Sequence, residues 1–142
     1  MKLRKIAALA LSILAFSLAI PLLAAPASAA PVPQCNSFHN HFDATYKWSV
    51  PVYRDSSGAT PKCLMGDAYG SYGEHVAVLQ RTLRDCYGQN IAVDSDFGPA
   101  TTAALANAQR FHHIGADGVY GPVTASVLAW NSTPNGRFFP QC

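Results

Sequence analysis

Between residues 73 and 130 apolar side chains recur three times at the spacing of an α-helix. Val76, Leu79 and Leu83, with Cys86 or Tyr87, make one stripe. Ala104, Leu105, Ala108 and Phe111 make a second, and Val127, Leu128 and Trp130 a third. Residues three and four apart share one face of a helix, so each stripe predicts one buried face. The boundaries come from backbone chemistry. Gly88 follows the first stripe and accepts the left-handed conformation that ends a helix, which predicts a first helix from Gly73 to Gly88. Pro99 and Pro122 precede the second and third stripes, where a fixed φ suits the first helical position and a missing amide donor costs nothing. These predict helices from Pro99 to about His112 and from Pro122 to about Trp130.

The segments that lead into the last two helices are nearly the same phrase. Asp94-Ser95-Asp96-Phe97-Gly98-Pro99-Ala100-Thr101 aligns with Asp117-Gly118-Val119-Tyr120-Gly121-Pro122-Val123-Thr124 at a fixed offset of 23 positions. Each copy reads as an acid and a small residue setting a turn, then an aromatic, then a Gly-Pro helix start. Asp94 and Asp117 are turn formers, and Thr101 and Thr124 sit in first turns of helices, where a hydroxyl bonds nearby backbone.

Ahead of the helices, Pro31 to Lys62 carries Phe38, Phe42, Tyr46, Trp48 and Tyr53 and is broken by Pro33, Pro51, Gly58 and Pro61. This reads as loop with one or two short strands around Tyr46 to Tyr53. The expected fold is therefore mostly α: a small three-helix domain with an aromatic, Cys-bearing extension in front. The organisation is 1–30, 31–62 for the extension, 63–131 for the helical domain and 132–142 for a Pro/Gly-bearing tail.

The first thirty residues change both compartment and charge. Lys2, Arg4 and Lys5 precede an apolar run from Ile6 to about Ile20, and Pro21 and Ala27-Ser28-Ala29-Ala30 follow. That order is a secretory signal peptide cleaved after Ala29 or Ala30, and it implies an exported chain without stable membrane insertion. A retained anchor is the rival reading of the same run. The whole chain has formal charge +2. Beyond the leader, seven cations (Lys47, Lys62, Arg54, Arg81, Arg84, Arg110, Arg137) face all eight acids, which leaves about −1. A nucleic-acid partner would need a basic face, and none survives.

Cys35, Cys63, Cys86 and Cys142 all lie beyond the leader. An even count in a small exported domain reads as two disulfides, with three pairings open. The reading leans to Cys35 with Cys63 and Cys86 with Cys142, which would fasten the extension and tie the tail to the first helix. No two cysteines have zinc-ligand spacing. His39 and His41, with Asp43, could share a strand face and hold a metal for a small hydrolase, but the polar, loop-like stretch around them argues for a solvated segment. Neither Gly-x-Ser-x-Gly nor His-Glu-x-x-His occurs, and about 32 residues of extension leave no room for a catalytic domain. No cofactor, no metal and no catalytic residue is expected.

From Leu64 to Trp130 the chain resembles the peptidoglycan-binding domain carried by many bacterial cell-wall hydrolases. The matching residues are Gly73, Val76-Ala77-Val78-Leu79-Gln80, Leu83, Gly88, Val93-Asp94, Phe97-Gly98-Pro99, Thr101, Ala104 and Gln109, then Ala116-Asp117-Gly118-Val119-Tyr120-Gly121-Pro122, Thr124 and Leu128. The resemblance implies a non-catalytic module that binds wall peptidoglycan, glycan or stem peptide, across a shallow surface of the first helix and both turns. Phe97 and Tyr120 would lie against sugar rings or peptide methyls, and Gln80, Arg84 and Asp96 would pair with amides and carboxylates. The same residues also read as packing and turn-holding groups. An alternative function on the same fold is a protein-interaction module, an inhibitor or partner of a wall hydrolase. Three positions depart from the family pattern: Ser95 and His113 stand where Gly is usual, and Ala108 stands where an aromatic is usual, leaving a space that Phe111 would have to fill.

Overall fold

A computed structural model describes residues 31–134 and Cys142; the expected leader and most of the tail lie outside the described residues. Three helices form where the apolar stripes fall: α1 (Glu74–Tyr87), α2 (Pro99–Phe111) and α3 (Pro122–Val127). Val76, Leu79 and Leu83 on α1 and Leu105 on α2 are fully buried, and Phe97, Tyr120 and Met65 complete the same core. Gly88 closes α1 at φ 61°, with its amide donating to the Leu83 carbonyl.

The strand expected around Tyr46 to Tyr53 is present, but the extension carries more strand than loop, and this corrects the expectation of a mostly α protein. The strands β1 (Ser37–Phe42), β2 (Tyr46–Asp55), β3 (Gly58–Thr60) and β4 (Ser132–Pro134) form one antiparallel sheet around the ten-residue β2. Strand β1 pairs along Lys47 to Val52 of β2, β3 pairs with Tyr53 to Asp55, and β4 pairs with Tyr46 to Trp48. The fold is thus a mixed α/β unit in which α1 packs on the sheet.

Pro51 in the middle of β2 had argued for a break, since proline gives a ladder no donor. The register explains why it is tolerated. On the edge of β2 away from β1, β4 stops at Trp48 and β3 begins at Tyr53, so Pro51 sits in a gap between partners. The tail's first residues belong to this sheet rather than to a separate segment.

The third helix is shorter than the apolar spacing predicts. Leu128 turns to extended backbone at ψ 132°, and the next amide, of Ala129, donates to the Tyr87 hydroxyl at 2.7 Å instead of to a helical carbonyl. Asn131 then anchors on Asp85 and Thr82 of α1, which aims the chain into β4. Both disulfides take the pairing toward which the sequence leaned, Cys35–Cys63 and Cys86–Cys142.

Ser95 and His113 adopt left-handed backbone, at φ 67° and 55°, as the glycines they replace would. Phe111 does not fill the space above Ala108. It is 72% exposed and meets Tyr87 and His112 edge-on, while Ala108 is buried beneath other core groups.

Candidate functional site

Two buried glutamines organise the repeated turns. Gln80 of α1 points its amide nitrogen at Asp94 Oδ1 (2.7 Å), the Asp96 carbonyl (2.9 Å) and Thr101 Oγ1 (3.1 Å). Its oxygen accepts the amides of Asp94 and Ser95. Gln109 of α2 repeats the arrangement on the second turn: its nitrogen meets Asp117 Oδ1 (2.9 Å), the Val119 carbonyl (3.0 Å) and Thr124 Oγ1 (3.1 Å), and its oxygen accepts the Gly118 amide. In each turn the aspartate also accepts the amide two residues on, from Asp96 or Val119. Those bonds, the Asp96 amide first and Gln80 second, hold the Asp94 carboxyl below the usual range.

A short connecting segment straps the two turns to each other. Met65 exchanges backbone bonds with Tyr120 in the second turn (3.0 and 2.9 Å). Six and eight residues on, the Ser71 carbonyl accepts the Phe97 amide and the Gly73 amide donates to the Ser95 carbonyl, both in the first turn. Between these anchors the chain makes a 3-10 turn over Asp67–Tyr69, closed by the Gly66 amide donating to Ser71 Oγ at 3.1 Å. Tyr69 and Tyr72 project from this segment, 39% and 69% exposed. A Cβ placed on Gly66 would lie 3.1 Å from the Tyr69 ring and 3.7 Å from Val119, so the tyrosine leans over the backbone toward the second turn. Beside that turn runs a groove of about 300 Å³ bounded by Leu64, Ile114, Asp117, Val119 and Val123.

The residues expected to contact a ligand separate into three groups. Phe97 and Tyr120 are 1% and 0% exposed and lock the turns to the core, so their rings present no outer face. Among the described residues the Tyr120 hydroxyl has no hydrogen-bond partner, and burial pushes its pKa well up. Gln80 is equally buried and spends its amide on the first turn. Asp96 is exposed at that turn, next to Tyr72, with which it forms a bridge. Arg84 is exposed as well, but its guanidinium is held by Asp85 at 2.8 Å on the far end of α1, not by either turn. The sequence reading missed Tyr69 and Tyr72. The signal for them is a stretch, Asp67-Ala68-Tyr69-Gly70-Ser71-Tyr72-Gly73, with too few apolar positions to bury two aromatics.

His39, His41 and Asp43 do not converge on a metal site; among the described residues no group of three metal-ligating side chains does. His39 and His41 lie edge-on at 4.8 Å, and His41 stacks on Trp48 at 5.3 Å. The Asp43 carboxylate caps the hairpin by accepting the Thr45 and Tyr46 amides.

Comparison with known proteins bears on this same region. A family model described as a putative peptidoglycan binding domain matches residues 72–128, which spans both turns and all three helices. The chain is 31% identical over 86 residues to a zinc D-Ala-D-Ala carboxypeptidase of Streptomyces albus G, covering 61% of this chain and 29% of that protein. It is 40% identical over 62 residues to the N-acetylmuramoyl-L-alanine amidase CwlM of Mycobacterium tuberculosis, covering 44% and 15%. The chain thus spans less than a third of the length of these curated relatives. A solved peptidoglycan-binding protein from Clostridioides difficile overlays on 73% of this chain and 68% of its own, at TM-score 0.47 and 23% identity. Both Gln-held turns lie inside residues 72–128, the stretch that matches the model of the peptidoglycan-binding domain family.

Proposed function

We propose that this chain is an exported, non-catalytic module that attaches to cell-wall peptidoglycan. The observation that carries the proposal is the family match over residues 72–128, which coincides with the one part of the fold built twice on the same Gln clamp. The contact face is the strap between the turns, with Tyr69 and Tyr72 as aromatic platforms and Asp96 as a polar neighbour. Exposed rings held on a rigid backbone suit sugar faces and peptide methyls, because little side-chain freedom is lost on binding. The groove beside Val119 extends this face with apolar wall suited to small side chains of a stem peptide.

Export is supported by the leader pattern of residues 1–30 and by two disulfides, which persist in oxidising surroundings. The absence of catalysis is part of the proposal: the chain is to hold the wall without cutting it. The test is co-sedimentation of the processed protein, disulfides closed, with purified insoluble peptidoglycan, together with an assay for soluble fragments. Specific sedimentation without fragment release is expected. Folded protein left in the supernatant would overturn the binding reading in favour of a protein partner, and released fragments would overturn the non-catalytic one.

A further inference from the structure

A second groove lies away from the turns, on the seam where α1 meets β2. Val78, Arg81 and Thr82 stand three and four residues apart and form one ridge of α1. Lys47 and Ser49 alternate along β2 and share one face of the strand. The two sets bound an open groove of about 280 Å³, which Asn131 also lines. Trp48 lines it too, and also lines an adjoining groove of similar size with Tyr46, Trp130, Ser132 and Asp43.

The groove has a built floor and a charge. Val78 and Thr82 are buried, Thr82 Oγ1 accepts the Asn131 amide, and the Asn131 side chain is fixed by donating to Asp85. Ser49 is turned by its bond to Asn40 at 2.6 Å. Over this fixed floor stand two cations from different elements. Lys47 pairs with no carboxylate among the described residues and rests 5.4 Å from the Phe42 ring centre. Arg81 gives one terminal nitrogen to Glu74 at 2.7 Å, which leaves its other N–H groups to donate elsewhere. Its side chain is 42% exposed, so the position is open to a ligand.

We propose that this seam binds a carboxylate carried on a small amide-bearing body, with Arg81 and Lys47 as the charge contacts and Asn131 and Trp48 framing the rest. The volume lies at the small end of ligand pockets and fits a dipeptide or a single sugar acid, not a length of polymer. A carboxylate between two cations gains charge-assisted hydrogen bonds, and a neutral isostere does not. The site draws on the extension's sheet as much as on the helical domain, and it stands independently of the tyrosine face.

Calorimetric titration of the processed protein tests it with two acids, acetyl-D-alanyl-D-alanine and N-acetylmuramic acid, each against a neutral counterpart: the dipeptide amide and N-acetylglucosamine. At least one acid is expected to bind about ten-fold or more tighter than its counterpart, and which acid does so identifies the source of the carboxylate. Arg81→Gln and Lys47→Gln should each weaken that acid about ten-fold, whereas Arg110→Gln, outside both faces, should leave it unchanged. Binding of neither acid, equal binding of acid and neutral probe, or an acid affinity untouched by both groove variants overturns the proposal. Sedimentation with insoluble peptidoglycan reads the tyrosine face, and the dependence of acid affinity on Arg81 and Lys47 reads the seam, so failure of the one and failure of the other are distinguishable.

Discussion

Gln80 and Asp94 are bonded to each other twice: the Gln80 amide nitrogen donates to Asp94 Oδ1 at 2.7 Å, and the Gln80 oxygen accepts the Asp94 backbone amide at 3.1 Å. One side chain thus fixes both the carboxylate and the backbone of the turn from inside the core. Gln109 does the same work for the second turn, with Asp117 and the Gly118 amide. A buried amide of this kind stabilises a loop because each group it satisfies would otherwise be desolvated without a partner.

Replacing Gln80 by Leu removes partners from the Asp94 and Ser95 amides and should cost about 2–4 kcal/mol in urea unfolding. Gln80→Glu keeps the shape but puts a carboxylate against Asp94 Oδ1 and the Asp96 carbonyl, so it should be no milder. Gln109→Leu should match the cost of Gln80→Leu. A change below about 1 kcal/mol in either Leu variant would mean that the clamps do not carry the turns.

Buried and exposed aromatics should separate cleanly by assay. Tyr72→Ala and Tyr69→Ala are expected to reduce peptidoglycan sedimentation several-fold with the melting temperature within a few degrees of the parent. Phe97→Ala, in contrast, empties a fully buried site and should cost about 3–5 kcal/mol, enough to unfold a marginal small domain. Wall binding lost in a still-folded Phe97→Ala protein, and kept in both tyrosine variants, would move the contact surface back to the turns.

The two halves of the chain differed in how readable they were. The helices were legible because Val76, Leu79 and Leu83 repeat at helical spacing and Gly88, Pro99 and Pro122 are strong local punctuation. The sheet was legible only as short strands around Tyr46 to Tyr53; its extent and pairing were not, because that evidence is relational: Pro51 reads as a break until the gap between β3 and β4 is known. The length of α3 escaped for the same reason, since a hydroxyl 42 residues away captures the Ala129 amide. At the turns the residue types were read well and their direction was not. An aromatic after Asp-x-x is equally a platform or a plug, and only burial tells Phe97 and Tyr120 from Tyr69 and Tyr72.

Equivalent positions in the two turns should respond oppositely to glycine chemistry. Ser95 and Gly118 share nearly the same φ, 67° and 69°. A Cβ on Gly118 would lie 2.6 Å from the Thr102 methyl and 2.8 Å from its carbonyl oxygen, so Gly118→Ala should destabilise by more than about 2 kcal/mol through both contact and strain. Ser95→Gly relieves left-handed strain of about 1–2 kcal/mol but loosens the unfolded chain by about 0.5–1 kcal/mol, for a small net gain. Thermal melts of the two variants shifting in the same direction would contradict this account.

The disulfides enclose separations of 28 and 56 residues. On the chain-entropy model these contribute about 3.5 and about 4 kcal/mol respectively, a large share of what a small domain possesses. The Cys86→Ser/Cys142→Ser double variant should therefore melt well below the parent. The Cys35→Ser/Cys63→Ser variant should lose a comparable amount, together with the bridge of Gln34 to Leu64 that the bond holds in place. Amide exchange would check the second outcome by showing faster exchange at position 35 and at Leu64, whose amides are bonded across this junction in the parent.

Stability should fall in two separate steps as the solution is acidified. His75 is buried in the first turn of α1, and burial lowers its pKa from 6.5 by disfavouring the charged ring. Below about pH 6.5 the unfolded chain therefore takes up a proton that the folded protein resists, and stability drops until the pH reaches the lowered folded pKa. The carboxyls of Asp94 and Asp43 act lower down. Backbone amides hold both below the ordinary value of 3.8, so their contribution is complete above that value and is lost only as the pH falls through their folded pKa values. Melting temperature measured from pH 8 to pH 3 should stay level to about pH 7, decline below 6.5 and decline again near and below 3.8. His75→Gln should remove the first decline and keep the second. A parent curve that is flat between pH 7 and pH 5 would show that His75 is hydrated in solution and not buried in the folded protein.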